Sequence, residues 1–339
     1  MKAAILTAFG QSLALEEVPT PVPEADEVLI QVEHCGVCHS DLHIIDGDLP
    51  GFRAGTKARL IPGHEVIGKV VARGASVEHL ALGNRVGVAW LHSACGVCEQ
   101  CREGNENLCR KGVVTGMTVD GGYAEFMRAK ASHALPIPDN LTSAQAAPLF
   151  CAGLTVYRAL KNAGVVSGQR VGIFGIGGLG HLAVQVAKAW GAEVVAFDVA
   201  EDKLQLGREL GASTTIDVTD PDAVKSTRKL GGLHVAVVTS AAKAAYDMAL
   251  RCLRPTGTLV VVGLPAEPLS FPALALVGPE VRIVSAAVGT REDMRAVLAL
   301  AAAGQLECRT EEALLADVNA VLARMKRGDI RGRIVLRCC

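Results

Sequence analysis

The sequence predicts an α/β protein in two parts, an irregular β domain and a doubly wound parallel sheet. Three observations carry this. The 339 residues are long for a single core and match roughly two domains. Near residue 150 the chain changes from short β-like runs, broken by Gly-, Pro- and Cys-rich loops, to a regular alternation of apolar strands and helices. A glycine turn, GIGGLG, follows the first of those apolar strands and opens a helix.

In the first part, the β-like runs are residues 3–6, 28–32, 66–71, 85–88 and 123–127. In the second, strands are expected at 170–174, 193–198, 214–217, 235–239, 258–262 and 281–286, a sheet of six. The helix after the first of these places Leu179, Leu182, Ala183, Val186, Ala187 and Trp190 on one stripe, which should lie on the sheet. Beyond Gly289 two helices, about 292–303 and 311–327, lead to a last strand near 333–336. No internal repeat or low-complexity linker interrupts the chain.

Half of the residues are hydrophobic and only 20% are charged, which excludes a disordered or highly charged interaction module. A formal net charge of −1 supplies no global field for nucleic acid or an anionic membrane, and 4% aromatic residues argue against base stacking. No apolar run reaches the roughly 18 residues of a membrane helix. The amino terminus shows no apolar signal core, and the eleven cysteines are an odd number, so a soluble cytoplasmic protein with reduced thiols is expected.

Thiols in such numbers point to metal. Cys95, Cys98, Cys101 and Cys109 form C-x2-C-x2-C-x7-C in a polar, Gly-containing loop, the pattern of a closed tetrahedral zinc site. An iron–sulfur cluster is the competing reading. With few large apolar residues, the order of this loop should depend on its metal. A second, dispersed set comprises Cys38, His64 beside Glu65, and Cys151. Two cysteines and a histidine leave a fourth position open, as a catalytic zinc requires. Singly, each has a plainer explanation: Cys38 as half of a C-x2-C with Cys35, His64 as a turn histidine, Cys151 as a small core residue.

The glycine turn Gly175-Ile176-Gly177-Gly178-Leu179-Gly180 lets backbone N–H groups approach a pyrophosphate at the positive end of a helix. The next strand ends at Asp198, 18 residues beyond Gly180, where a carboxylate would accept the adenine ribose hydroxyls and repel a 2′-phosphate. NAD is therefore expected rather than NADP. The plainer role for Asp198 is a cap for the following helix.

In order, HCGVCHSDLH, PGHE, the four-cysteine loop ending in GNENLC, DGGYAEF, FCAGLTVYRALK, GIGGLGHLAVQ and VVGLP resemble the zinc-dependent medium-chain alcohol dehydrogenases, especially their shorter bacterial and yeast-type branch. The resemblance spans nearly the whole chain. It implies a GroES-like β catalytic domain over 1–152, with its structural zinc loop at 91–115, a Rossmann cofactor domain over 153–288, a return to the catalytic domain over 289–339, and an active site in the cleft between.

By that similarity Cys38, His64 and Cys151 hold a catalytic zinc, and Cys95, Cys98, Cys101 and Cys109 a structural one, two zinc ions per chain. Glu65 would stand behind the catalytic metal and Asp41 would orient His64. The implied reaction transfers hydride from a primary alcohol to NAD, reversibly, with the proton leaving through Ser40, the cofactor ribose and His43. His39 and Arg333 match contacts to the pyrophosphate, Lys203 a neighbour of the adenine ribose, and Thr155 a residue packed on the nicotinamide. Each of these has a plainer reading as a surface charge or helix residue.

Leu49 stands where small-alcohol enzymes often carry a tryptophan, and Trp90 matches an aromatic that narrows the pocket near the metal. The loop holding GFRAGTKARL is longer than the family leads one to expect. The substrate implied is a primary alcohol or aldehyde with an apolar, even aromatic, end, and the branch implies a homotetramer. A polyol dehydrogenase would carry a carboxylate where Cys151 stands, and a cinnamyl-type NADP reductase would lack the acid at Asp198. A zinc- and nucleotide-binding scaffold without turnover would not need the open metal ligands or the relay.

Overall fold

The computed structural model describes residues 1–265 and 267–339. The chain divides into two compact units, one of Met1–Cys151, Thr290–Ala302 and Cys308–Cys339, the other of Ala152–Gly289 and Ala303–Glu307. Residues 303–307, expected in the carboxyl-terminal return, thus group with the second unit.

The first unit opens with β1 (Lys2–Ile5), β2 (Ala14–Glu17) and β3 (Glu27–Gly36), then α1 (His39–Asp46) and α2 (Pro50–Gly55). It continues through β4 (Val66–Arg73), β5 (Arg85–Val88), β6 (Leu91–Ser93), α3 (Glu99–Arg102), β7 (Val113–Val114), β8 (Phe126–Lys130), β9 (Ala134–Pro136) and α4 (Ser143–Ala146). Strand β3 is its hub, antiparallel to β4 and β8. Val28, Ile30 and Val32 on this strand are fully buried in a core shared with Val66, Tyr123 and Ala124. The expected strand at 123–127 starts later, because Tyr123 is drawn into the core beside the end of β3.

The second unit contains α5 (Ala152–Asn162), β10 (Arg170–Phe174), α6 (Gly180–Ala189), β11 (Glu193–Asp198), α7 (Glu201–Leu210) and β12 (Thr214–Asp217). After these come α8 (Ala223–Lys229), β13 (Leu233–Val238), α9 (Lys243–Cys252), β14 (Leu253–Val261), α10 (Ala273–Val277) and β15 (Arg282–Ser285). All six strands are parallel, in the order β12-β11-β10-β13-β14-β15. The order reverses between β10 and β13, the switch point at which such sheets bind ligands beyond their carboxyl ends. The expected stripe on α6 is buried, but so are His181, Val184 and Gln185. The helix is covered on more than its sheet face, and Trp190 after its end meets Tyr157 of α5 edge-on at 5.1 Å.

The chain returns to the first unit through α11 (Arg291–Ala302), β16 (Thr310–Leu314), α12 (Val318–Lys326) and β17 (Arg333–Arg337). The helix expected at 311–327 is therefore shorter. Its Glu-rich start is instead an edge strand parallel to β17, which itself pairs with β3. All eleven cysteines are free. Cys338 is buried with its thiol toward the Gly122 carbonyl, whereas Cys339 is exposed.

Candidate active site

Strand β3 delivers Cys38 to the amino-terminal end of α1, and the start of β4 is preceded by His64 and Glu65. These ends are tied together by the Gly36 N–H, which donates to the Glu65 carbonyl at 2.9 Å. A Cβ at Gly36 would overlap the Glu65 carboxylate, so glycine is required there. Cys151 ends the turn after α4. The ligand atoms of Cys38, His64, Glu65 and Cys151 lie within 4.8 Å of one another, and all four residues are buried.

Asp41 organises this cluster. Its carboxylate accepts from the Cys38 N–H at 2.9 Å, from the Tyr123 hydroxyl at 2.8 Å and from His64 Nδ1 at 3.0 Å. With Nδ1 committed to Asp41, His64 Nε2 is buried without a hydrogen-bond partner, the nitrogen left to face a metal. Burial opposes a charged ring, but Asp41 and Cys38 together raise its pKa well above the ordinary value, so a metal would displace a proton there. The two sulfurs are 3.8 Å apart, about the edge of a tetrahedron with ~2.3 Å zinc–sulfur bonds and far longer than a disulfide. The donor set thus fits a zinc ion. Cys35 is not part of it: its thiol is buried in β3 near the Gly36 carbonyl.

Electrostatics accord with that chemistry. Cys38 accepts the Cys151 thiol proton and is held well below the ordinary thiol range, against the opposing effect of burial and with His64 assisting. Burial pushes the Glu65 carboxyl up to about 7, although the Arg333 guanidinium beside it opposes the shift. Glu65 Oε1 pairs with Arg333, whereas Oε2 is buried without a partner.

Between β6 and β7, Cys98 Sγ lies 3.5 Å from Cys101 Sγ and 3.9 Å from Cys109 Sγ, and Cys95 Sγ is 4.0 Å from Cys101 Sγ. These spacings would suit a single ion and are too short for a multi-iron cluster. Backbone N–H groups of Val97 and Cys98, with the Cys109 thiol, lower the Cys95 pKa to about 6.

In the second unit three glycines of the turn have separate reasons. Gly175 has φ +94°, and a Cβ on Gly180 would strike the Gly175 carbonyl. A Cβ on Gly177 would meet nothing within 4 Å, so the backbone is open to a ligand. Gly178 and Leu179 complete the turn, Leu179 as the residue before α6. The buried Asp198 carboxylate accepts from the N–H of Ile176 at 2.7 Å, Val199 at 2.8 Å and Ala200 at 3.2 Å. It anchors the glycine turn and the bend before α7, whose own amino-terminal turn receives no side-chain cap, so the helix-cap alternative does not hold. Three of about four acceptor positions are used, leaving one for a ligand. The open turn and its carboxylate fit a dinucleotide.

With this geometry, the comparisons with known proteins are decisive. Residues 24–139 match the alcohol dehydrogenase GroES-like domain and 178–303 the zinc-binding dehydrogenase domain. An alcohol dehydrogenase of Geobacillus stearothermophilus is 45% identical over 338 residues, 99% of each chain. The chain belongs to the zinc-dependent medium-chain alcohol dehydrogenase family. The crystal structure of the alcohol dehydrogenase from the archaeon Aeropyrum pernix superposes with a TM-score of 0.91 at 33% identity, over 99% of this chain and 100% of that one. Acetophenone reductase from Geotrichum candidum, in complex with NAD, gives 0.89 at 33% identity over 99% and 96%.

The remaining expected residues of this alcohol dehydrogenase are spread over both units. His39 is exposed and Ser40 half-buried on α1. His43 Nδ1 donates to Asp48 at 2.9 Å. Trp90 meets His64 edge-on, with centroids 4.9 Å apart, and Phe52 at 5.7 Å. Leu49 is half-buried at the start of α2. In the second unit Thr155 is buried on α5 and Lys203 half-buried on α7. Arg333, expected to face a pyrophosphate, is 3% exposed and engaged with Glu65. Asp48, Phe52, Tyr123 and the Glu65–Arg333 pair escaped the sequence reading. Only DGGYAEF, which contains Tyr123, offered a signal for any of them.

Proposed function

We propose that this alcohol dehydrogenase oxidises primary alcohols, reversibly to aldehydes, with NAD and two zinc ions per chain. The observation that carries the proposal is the convergence of Cys38, His64 and Cys151, with His64 Nε2 buried and unpartnered. Cys38, His64 and Cys151 would hold the catalytic zinc, and Cys95, Cys98, Cys101 and Cys109 the structural one. When bound, zinc supplies a Lewis acid that makes an alcohol more acidic, and the dinucleotide supplies a hydride acceptor.

The chain's own groups do the rest. Asp41 and Tyr123 fix the ring of His64, and Arg333 restrains Glu65 beside the ligands. Ser40 takes the alcohol's proton and His43 passes it outward. Its Nδ1–H is held by Asp48, which leaves Nε2 to receive the proton. Trp90 and Phe52 form an apolar wall next to His64, which suits a substrate with an apolar end. Trp90→Ala should raise kcat/KM for bulky and secondary alcohols relative to ethanol, and unchanged relative rates across an alcohol series would refute this role.

Asp198 favours NAD over NADP through its negative charge, and the NAD in the acetophenone reductase structure is in keeping with that choice. The glycine turn would take the pyrophosphate, and Lys203, Thr155 and His39 are proposed as further cofactor contacts on the family resemblance. A steady-state comparison tests the cofactor assignment: wild type should prefer NAD by at least about tenfold, ~1.4 kcal/mol, and Asp198→Asn should narrow the ratio. An unchanged ratio would contradict it.

A homotetramer in the cytoplasm completes the proposal. Leu274 and Val277 on α10 are 81% and 73% exposed, an apolar surface suited to self-association. The five cysteines outside the two clusters form no disulfide, which suits a reducing compartment. Among the described residues no helix is long and apolar enough to cross a membrane.

A further inference from the structure

A hollow of about 530 Å3 opens in the second unit at the amino-terminal ends of β13, β14 and β15, the edge of the sheet opposite the glycine turn. His234, Arg254, Thr256, Thr258, Glu280 and Arg282 line it. Among the described residues neither Arg254 nor Arg282 has a carboxylate partner. Arg282 Nη2 is aligned by Thr258 Oγ1 at 3.0 Å. His234 Nδ1 accepts the Arg170 N–H at 3.0 Å, so the neutral ring carries its proton on Nε2 and offers another donor.

The backbone provides an independent observation. Of the four non-glycine residues with positive φ among those described, Thr256 at 62° and Glu280 at 53° both border this hollow. The Thr256 N–H is fastened to the Pro279 carbonyl at 2.7 Å, holding the two strained segments together. Such conformations persist only where the surroundings impose them, and they gather at ligand sites.

The forked guanidinium groups match the oxygens of a phosphate, and the volume suits a small metabolite. Glu280 would repel a bare anion but accept from a hydroxyl. We propose that the hollow binds a small hydroxylated phosphomonoester, with Arg254, Arg282 and His234 donating to the phosphate and Glu280 accepting from a neighbouring hydroxyl. None of these residues belongs to the metal centres or the glycine turn, so the proposal stands apart from the alcohol chemistry.

Calorimetric titration of the zinc-loaded full-length enzyme with glycerol 3-phosphate, inorganic phosphate and glycerol, with and without saturating NADH, tests it. Glycerol 3-phosphate should bind once per chain, equally well with NADH present, and more tightly than inorganic phosphate. Arg254→Ala and Arg282→Ala should each raise its Kd by about tenfold or more. Glu280→Gln should weaken glycerol 3-phosphate but not inorganic phosphate. Absence of binding at millimolar ligand, loss of binding when NADH is added, or no change in both arginine variants would overturn the proposal. Should those variants not fold, hydrogen exchange on wild type decides: slowing at residues 254–258 and 280–282 supports the site, and slowing confined to 175–180 refutes it.

Discussion

Asp41 accepts three hydrogen bonds in a fully buried position, and each donor has a separate consequence. The Cys38 N–H fixes the start of α1, Tyr123 fills a second lone pair, and His64 is held in the tautomer that leaves Nε2 for a metal. Asp41→Ala should therefore weaken zinc binding by about 10- to 100-fold, whereas Tyr123→Phe should cost only about 1 kcal/mol of stability. Chelator competition distinguishes the two, and equal zinc affinity in Asp41→Ala would refute the orienting role. A different residue-scale effect concerns His92 and His133, whose pKa values burial lowers to about 4. Because the unfolded chain takes up these protons first, the stability from two neutral rings is complete above about pH 6.5. It is lost as pH falls toward about 4, on the order of 3 kcal/mol for each. In urea titrations His133→Gln should lose less stability than wild type between about pH 7 and pH 4.5, and parallel losses would contradict this account.

Among elements, the four-cysteine loop and the glycine turn depend on different physics. The loop has only short helices and two small strands of its own, so metal removal should release it. Amide exchange across residues 95–109 should quicken sharply in Cys98→Ser, while β3 and β4 stay protected; an unchanged loop would show that it orders itself without metal. The glycine turn is a steric device. Gly180→Ala should push Gly175 aside and weaken dinucleotide binding by about tenfold or more, and unaltered binding would discount the close approach. The parallel sheet was legible because each strand is an apolar run bounded by turn residues, and β10, β11 and β12 have the expected ends. The edge elements of the first unit were not. Thr310–Leu314 contains TEEAL, which favours helix locally, yet backbone pairing with β17 makes it a strand. The two clusters able to hold a metal were readable from spacing and resemblance, but the residues that support them were not. Glu65 and Arg333 are 268 residues apart, and Tyr123 meets Asp41 across 82, so neither pairing leaves a local pattern.

At the scale of the whole molecule, the chain matches its alcohol dehydrogenase relative over 99% of both lengths and brings together two clusters of side chains able to hold a metal, beside an open glycine turn. The near-zero formal charge supplies no global field for a polyanion. Cys38, His64 and Cys151 should together hold a zinc that the reaction needs. The most direct measurement is metal content together with alcohol-dependent NADH formation, for wild type and Cys38→Ser purified in parallel. Two zinc ions per chain and turnover are expected for wild type, and one zinc with activity lost for the variant. Undiminished turnover in Cys38→Ser, or a wild-type enzyme that turns over at full rate without zinc, would contradict the account.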